Sequence, residues 1–556
     1  MVVSAQRLAS QVGLDILQAG GNAVDAAVAV GYAEAVVNPC CGNIGGGGFM
    51  VAHLAAAAGK PARDVFLDFR ETAPAAAGAG MFLDARRRPV PGASLFGWRA
   101  VGVPGTVAGL DAALLRWGTM SRAQVMAPAI RLARDGFELT QADTDILRIR
   151  TERFSHDPEL ARTFLHPDHT PLRPGETLRQ ADLAGTLAAI AVAGPDAFYH
   201  GRLPQAVAQA SVAAGGLLTA DDFASYHATE AAPLACSYRG YAVLSAPPPS
   251  SGGTTLCEIL DVLSGYDLRA MGWHGAAAVH VMAEAMRHAF LDRNTTLGDP
   301  AFVANPVARL LSPGYAGAIR KVIGPRATPS ATLRPGVAPH ERAETTSYAV
   351  LDAAGNAVSV TYTLNGAFGA AVMAPGTGVL MNDEMDDFTI APDTPNLFGL
   401  VQGEANAIAP GKRPLSSMAP TILLRDGRVA MALGSPGGSR IITVVLEVVL
   451  DLIDYDMTPQ EAVAAPRVHQ QWLPDTIYME PFALSPDTEA ALRAMGYRLT
   501  EQTPWGSAEL IAVGPGRSAA GSASSGNDAM LSGSMQPGMV YGAHDPRRPA
   551  GSADGY

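Results

Sequence analysis

The sequence predicts an α/β protein in two unequal parts, and three stretches carry that expectation. Leu8, Val12 and Leu17 recur at helical spacing between residues 4 and 19, and Gly20-Gly21 stop the run. Residues 344–365, ETTSYAVLDAAGNAVSVTYTLN, read as a β-hairpin: Tyr348, Val350 and Leu351 lead into Ala353-Ala354-Gly355-Asn356, and Val358, Val360, Tyr362 and Leu364 alternate beyond it. Between these, residues 325–344, PRATPSATLRPGVAPHERAE, are polar and proline-rich and are expected to form an exposed linker.

Taken in order, MVVSAQRLASQ reads as the cap and first turn of a helix, so no secretory leader is expected at this end. Asn22 can cap a second helix with Asp25 three residues on, and Asn38-Pro39 ends it. GNIGGGGFMVAHLA is a glycine turn feeding a strand, and VFLDF is another strand. Residues 105 to 320 alternate helical stretches with Pro/Gly punctuation. Strands resume at 346, and SAAGSASSGN at 518–527 reads as a flexible loop. There is no internal repeat.

Composition narrows the function classes. The chain has 556 residues and is 48% hydrophobic, enough for a sizeable core and too much for wholesale disorder. Forty basic against 52 acidic residues leave −12, with no long run of Lys or Arg, which argues against nucleic-acid and anionic-membrane partners. No membrane span is expected: the best candidates, such as AVDAAVAVGYAEAVV with Asp25 and Glu34, carry charges inside. Cys40, Cys41, Cys236 and Cys257 form no CxxC pair, so buried thiols are expected, with neither a zinc site nor a disulfide framework.

Several motifs are weak by themselves. GNIGGGGF has the glycine density of a dinucleotide loop, but a strand follows it where a helix is required, so close backbone packing is the better reading. GSPGGSR, residues 434–440, is no nucleophile elbow, although Gly437 and Gly438 let the chain approach a ligand closely. His280, Glu284 and His288 share a helix face but lack HExxH order, so a packed or solvated face is expected and no metal.

The ETT junction carries more chemistry. A threonine hydroxyl is a poor nucleophile until a base takes its proton. A cut between Glu344 and Thr345 would give Thr345 its own α-amino group, with an ordinary pKa of about 7.7–8.0, close to what a general base needs. The cut itself could come from attack of Thr345 Oγ1 on the Glu344 carbonyl, followed by hydrolysis of the resulting ester.

TTSYAVLD, VTYTLN, LMNDEMDDF, KRPLSSMAPTI and GSPGGSRI, with GGNAVDAAVAV, GNIGGGGFM, DFRETAP and APPPSSGG upstream, closely resemble the γ-glutamyltransferase (γ-glutamyltranspeptidase) family of N-terminal-nucleophile hydrolases. The likeness spans nearly the whole chain; the Ser/Gly tract near 516–536 looks like an insertion. It implies a four-layer αββα sandwich formed jointly by two chains from one self-cleaved precursor: a large subunit, 1–344, and a small subunit, 345–556. Thr345 would be nucleophile and, through its amine, base. Thr363 would share its pleat face and orient it, and Gly437 and Gly438 would donate N–H groups to the oxyanion. Arg70, Ser416 and Ser417 would hold the α-carboxylate of a γ-glutamyl group, and Asn365, Glu384 and Asp387 its α-ammonium. No metal or organic cofactor is implied.

The implied reaction is ping-pong acyl transfer from glutathione or a γ-glutamyl amide to water, an amino acid or a dipeptide. A glutaryl-type cephalosporin acylase of the same family, and an uncleaved binding protein, are the alternatives. Family members are usually periplasmic or secreted; with no leader visible, a cytoplasmic location stays open. Two departures stand out. Phe398 occupies the lid position where well-known bacterial members have tyrosine, and Asp383 stands where asparagine is usual.

Overall fold

The computed structural model describes residues 1–57, 59–333, 345–391, 393–514 and 535–556. Two antiparallel sheets dominate. Their strands, in chain order, are β1 (Val2–Ser4), β2 (Gly47–Leu54), β3 (Arg63–Phe69), β4 (Thr229–Ala231), β5 (Leu234–Tyr238), β6 (Tyr241–Ser245), β7 (Thr346–Leu351), β8 (Ala357–Thr363), β9 (Thr421–Arg425), β10 (Arg428–Gly434), β11 (Glu509–Val513), β12 (Val540–His544) and β13 (Ser552–Asp554). The first sheet has the order β13-β1-β7-β8-β2-β3-β4 and the second β12-β11-β10-β9-β6-β5. Each sheet mixes strands from both sides of residue 345.

The hairpin β7–β8 shows why the sheets stack. Tyr348, Val350, Val358, Val360 and Tyr362 pack into one core with the all-buried helix Ala23–Val37, while Ala349, Leu351 and Ala357 join a second core with β9, β10 and the helix Ile441–Ile453. Period-2 alternation thus gives a bulky face for the helices and a small-residue face for the other sheet. The small face is also polar: Ser359 Oγ donates to Leu433 O of β10 at 2.8 Å. Helices Arg7–Gln18 and Ala23–Val37 cover the first sheet, Gly252–Leu263 and Ile441–Ile453 cover the second, and Ala276–Thr296 packs on Gly252–Leu263, completing the αββα sandwich.

Local chemistry sets the ends of these elements. Asn22 accepts from Val24 N and Asp25 N while Asp25 caps back onto Asn22 N, the expected capping box, and the helix stops at Val37. The hairpin turn is held by Asp352, which accepts from Ala354 N, Asn356 N and Asn356 Nδ2 at 2.9, 3.0 and 2.7 Å, with Gly355 at φ 89°.

Three expectations need correction. Residues 2–4 are a strand and not part of the helical cap, because β7 and β13 pair with both of their edges. The cysteines are disulfide-bonded: Cys40 to its neighbour Cys41, and Cys236 of β5 to Cys257 of the helix packed over it. Helix-on-sheet packing, absent from the spacing, brings the second pair together. The linker expectation fails at Ser330, which is buried, donates to Trp472 O and receives a hydrogen bond from Arg287. Residues 334–344 and the 518–527 tract lie outside the described residues.

Candidate active site

The register of the hairpin builds the site. Thr346 pairs with Tyr362, which sets Thr345 opposite Thr363 where the ladder ends. Counting by twos, both fall on the small face with Ser347, Ser359 and Thr361. Their hydroxyls are 3.3 Å apart. Thr363 Oγ1 also accepts from Asn365 N at 2.8 Å, which helps hold its side chain beside Thr345.

Glycines let three other chain segments reach this point. A Cβ on Gly46 would lie 2.0 Å from Thr363 O, and one on Gly48 2.4 Å from Tyr362 Cβ, so the GNIGGGGF turn is close backbone packing, as expected. A Cβ on Gly434 would lie 2.1 Å from Ser347 Oγ, so β10 runs directly beneath the hairpin and delivers residues 435–438 to Thr345. Gly437 and Gly438 have φ of 139° and 55°, and a Cβ on Gly438 would lie 2.2 Å from the Phe398 ring. The helix Ile441–Ile453 begins just beyond, turning its N-terminal dipole toward the same end.

The charged end is assembled around Arg70, which follows β3 and is fully buried. Its guanidinium donates to Glu384, to Asp387 Oδ2 at 2.5 Å and to Pro414 O at 3.2 Å, and Glu71 lies 3.6 Å away. Asp387 Oδ1 accepts from Asn396 Nδ2 at 3.1 Å, and Asp386 accepts from Ser94 Oγ and Leu397 N at 2.6 and 2.7 Å, tying the 388–402 loop to the acidic turn. The Ser416-Ser417 loop is clamped by APPPSSGG: Ser416 N donates to Pro249 O at 2.9 Å, and Ser251 N and Oγ both donate to Ser416 O.

Electrostatics at this end is crowded. One guanidinium cannot neutralise three buried carboxylates, so burial pushes the Glu71 carboxyl up to about 8 and Glu384 well above the usual range, with Arg70 opposing both. Burial likewise raises Asp386 to about 6 and Asp383 well above its ordinary value. Among the described residues, Asn365 Oδ1, Glu384 Oε2 and both Glu71 oxygens are buried acceptors without a hydrogen-bond partner. Asn365 itself is held at φ 77° with its amide nitrogen on Asp383 O at 3.0 Å.

Arg70, Thr345, Thr363, Asn365, Glu384, Asp387, Ser416, Ser417 and Gly438 all line one small cavity, and Gly437 directly precedes its wall. Phe398, Met418 and Ile441 supply the apolar lining. Glu344 lies outside the described residues. The His280–Glu284–His288 face takes no part. Both His280 nitrogens are engaged, by Tyr497 Oη and Gly324 O at 2.8 Å each, and Glu284 pairs with Arg287 at 3.2 Å. Residues missed in the sequence include Glu71, signalled only by its place beside Arg70, and Asn382, whose side chain bonds Gly45 O, Gly102 O and Glu384 N. A second asparagine in a loop carries no such signal.

Two face-to-face sheets flanked by helices, with a strand-initial threonine at the mouth of a buried ionic pocket, define an N-terminal-nucleophile hydrolase. The fold matches the cephalosporin acylase from Bacillus halodurans at a TM-score of 0.82, with 27% identity and coverage of 100% of this chain and 96% of that one. The chain belongs to the gamma-glutamyltranspeptidase family, which matches residues 9–550. A glutathione hydrolase proenzyme of Pseudomonas sp. (strain A14) is 51% identical over 557 residues, 100% of this chain and 94% of that one. An acylase ACY 1 proenzyme of Pseudomonas sp. (strain SE83) is 41% identical over 505 residues, 90% of this chain and 87% of that one.

Proposed function

We propose that the chain is the precursor of a self-cleaving γ-glutamyltransferase and glutathione hydrolase. The observation that carries this reading is the set of partnerless buried acceptors, Asn365 Oδ1 and Glu384 Oε2, on the same wall as Arg70 and the Thr345–Thr363 pair. A γ-glutamyl group brings an α-ammonium for those acceptors and an α-carboxylate for Arg70, Ser416 and Ser417. Its charges would replace the Arg70–Glu384 and Arg70–Asp387 pairs with equivalent ones, so the buried site stays compensated on binding.

Maturation begins with Thr345 Oγ1 attacking the Glu344 carbonyl. The peptide nitrogen leaves as the new α-amine, and water hydrolyses the ester, giving subunits 1–344 and 345–556. In turnover, that amine takes the Oγ1 proton while Thr363 orients the hydroxyl. Oγ1 adds to the γ-carbonyl, the oxyanion accepts from the N–H groups of Gly437 and Gly438, and the leaving amine departs with the proton. Losing one such donor costs about 3–4 kcal/mol of barrier. Water or the amine of an amino acid or dipeptide then resolves the γ-glutamyl ester and regenerates Thr345. The two disulfides support a disulfide-permissive compartment, periplasmic or extracellular.

Intact mass under denaturing conditions, followed by a γ-glutamyl-p-nitroanilide assay, tests the proposal. Two fragments with the smaller beginning at Thr345, and release of nitroaniline, are expected. A single full-length mass would overturn it in favour of an uncleaved binding protein. The acylase reading is favoured by relatives of that name and by Arg70, which suits a glutaryl carboxylate equally well. Faster turnover of glutaryl-p-nitroanilide than of the γ-glutamyl compound would establish it instead.

A further inference from the structure

Arg293, on the helix Ala276–Thr296, is 1% exposed and lies one layer behind the cavity wall. Its Nε donates to Ser251 Oγ at 3.0 Å, Nη1 to Asn294 Oδ1 and Gln402 Oε1 at 2.8 and 2.9 Å, and Nη2 to Ser417 Oγ at 3.0 Å. All four acceptors are neutral. A buried guanidinium is ordinarily matched to a carboxylate, because taking its charge out of water is expensive. Burial does pull its pKa down, to about 10, with the charge of Arg70 adding to the fall and Asp387 opposing it, so it stays protonated at neutral pH.

We propose that Arg293 is a positioning residue for the anion end of the site, fixing Ser417 as a hydrogen-bond donor and setting a second positive charge behind Arg70. The logic lies in the hydroxyl's single proton. A guanidinium can only donate, so Ser417 must meet it with a lone pair, which leaves the Ser417 proton for an acceptor on the cavity side. The same arginine reaches Ser416 through Ser251, whose Oγ donates to Ser416 O at 2.6 Å. It reaches the acidic turn through Gln402, whose Nε2 donates to Asp387 O at 2.9 Å. One side chain therefore sets the spacing between the serines and Asp387, and lysine cannot reproduce this because it lacks the planar fork.

The inference rests on the reading that Arg70, Ser416 and Ser417 receive a substrate carboxylate. The test compares γ-glutamyl-p-nitroanilide with 4-aminobutyryl-p-nitroanilide, which lacks only that carboxylate, on the wild type and on Arg293→Lys. The variant should raise KM for the γ-glutamyl substrate by about tenfold or more with little change in kcat, and leave kcat/KM for the 4-aminobutyryl compound within about twofold. Equal losses on both substrates would overturn the proposal and leave Arg293 a packing residue. A wild type that does not prefer the γ-glutamyl substrate would sink the carboxylate reading itself. If Arg293→Lys fails to fold or to self-cleave, Ser251→Ala decides. It removes only the hydroxyl between Nε and Ser416, and a KM rise confined to the γ-glutamyl substrate supports the proposal, whereas none overturns it.

Discussion

The two ends of the cavity are built on different principles. At the nucleophile end, position comes from backbone: the hairpin register sets Thr345 against Thr363, and Gly46, Gly434 and Gly438 let neighbouring chains approach as closely as a missing Cβ allows. At the charged end, position comes mainly from side chains, with Arg70 held among Glu71, Glu384 and Asp387. The contrast separates what must not move from what can be tuned. Backbone register tolerates no adjustment without refolding, whereas an ionic cluster can be shifted by changing one proton or one carboxylate.

The sharpest break in that comparison is Thr345→Ala. It should abolish self-cleavage and turnover together while the melting temperature stays within a few degrees of the wild-type precursor, because the small face of the hairpin loses only a hydroxyl and a methyl group. Mass spectrometry and a thermal melt read both. Next in size is Gly438→Ala, which meets the Phe398 ring and must hold φ 55°. Roughly a 100-fold loss of kcat is expected if the Gly438 N–H is the oxyanion donor proposed above. Phe398→Ala in the same chain should recover part of it by removing the collision but not the backbone strain; no recovery would show that the strain alone matters.

The charged end predicts a pH effect. The folded-state pKa of Glu71, about 8, lies above its ordinary value of 4.5, so the folded state holds a proton that the unfolded chain has released. Stability from this group is therefore intact below pH 4.5 and lost as pH rises from there to about 8. Glu71→Gln removes that slope, and its melting temperature should gain on the wild type steadily between pH 5 and pH 8. A constant difference across the range would show that Glu71 does not titrate there. The smallest effect belongs to Asp383→Asn. Asp383 Oδ1 accepts from Gly366 N at 2.8 Å, and an asparagine oxygen can do the same. Initial rates should change by less than about threefold; a larger fall would mark the carboxylate as part of the ammonium site.

The nucleophile end was the more legible in the sequence. Alternation from Tyr348 to Leu364 announces both faces of the hairpin, and the glycine density at 42–48 announces close packing, because period and missing side chains are local properties. The candidate residues of the charged end came from motif resemblance, and they do converge on one cavity. What escaped is what depends on distant partners. Val2–Ser4 has no strand signature of its own and becomes a strand because β7 and β13 flank it. Cys236 and Cys257 meet only because a helix lies across β5. Arg293 reads as one more charged residue on a helix until Ser251, Gln402 and Ser417 are brought around it.

The interleaving of strands has a consequence for the life of the molecule. In the first sheet β1 lies between β13 and β7, and β8 lies beside β2, so strands from before and after residue 345 alternate across hydrogen-bonded seams. As a single chain, the protein assembles these seams in one unimolecular event. After a cut before Thr345, the same arrangement can be regained only if two separate polypeptides find each other, at a rate that depends on concentration. Maturation would thus trade reversibility for reactivity: the precursor can fold repeatedly, while the cut form, once unfolded and diluted, is spent.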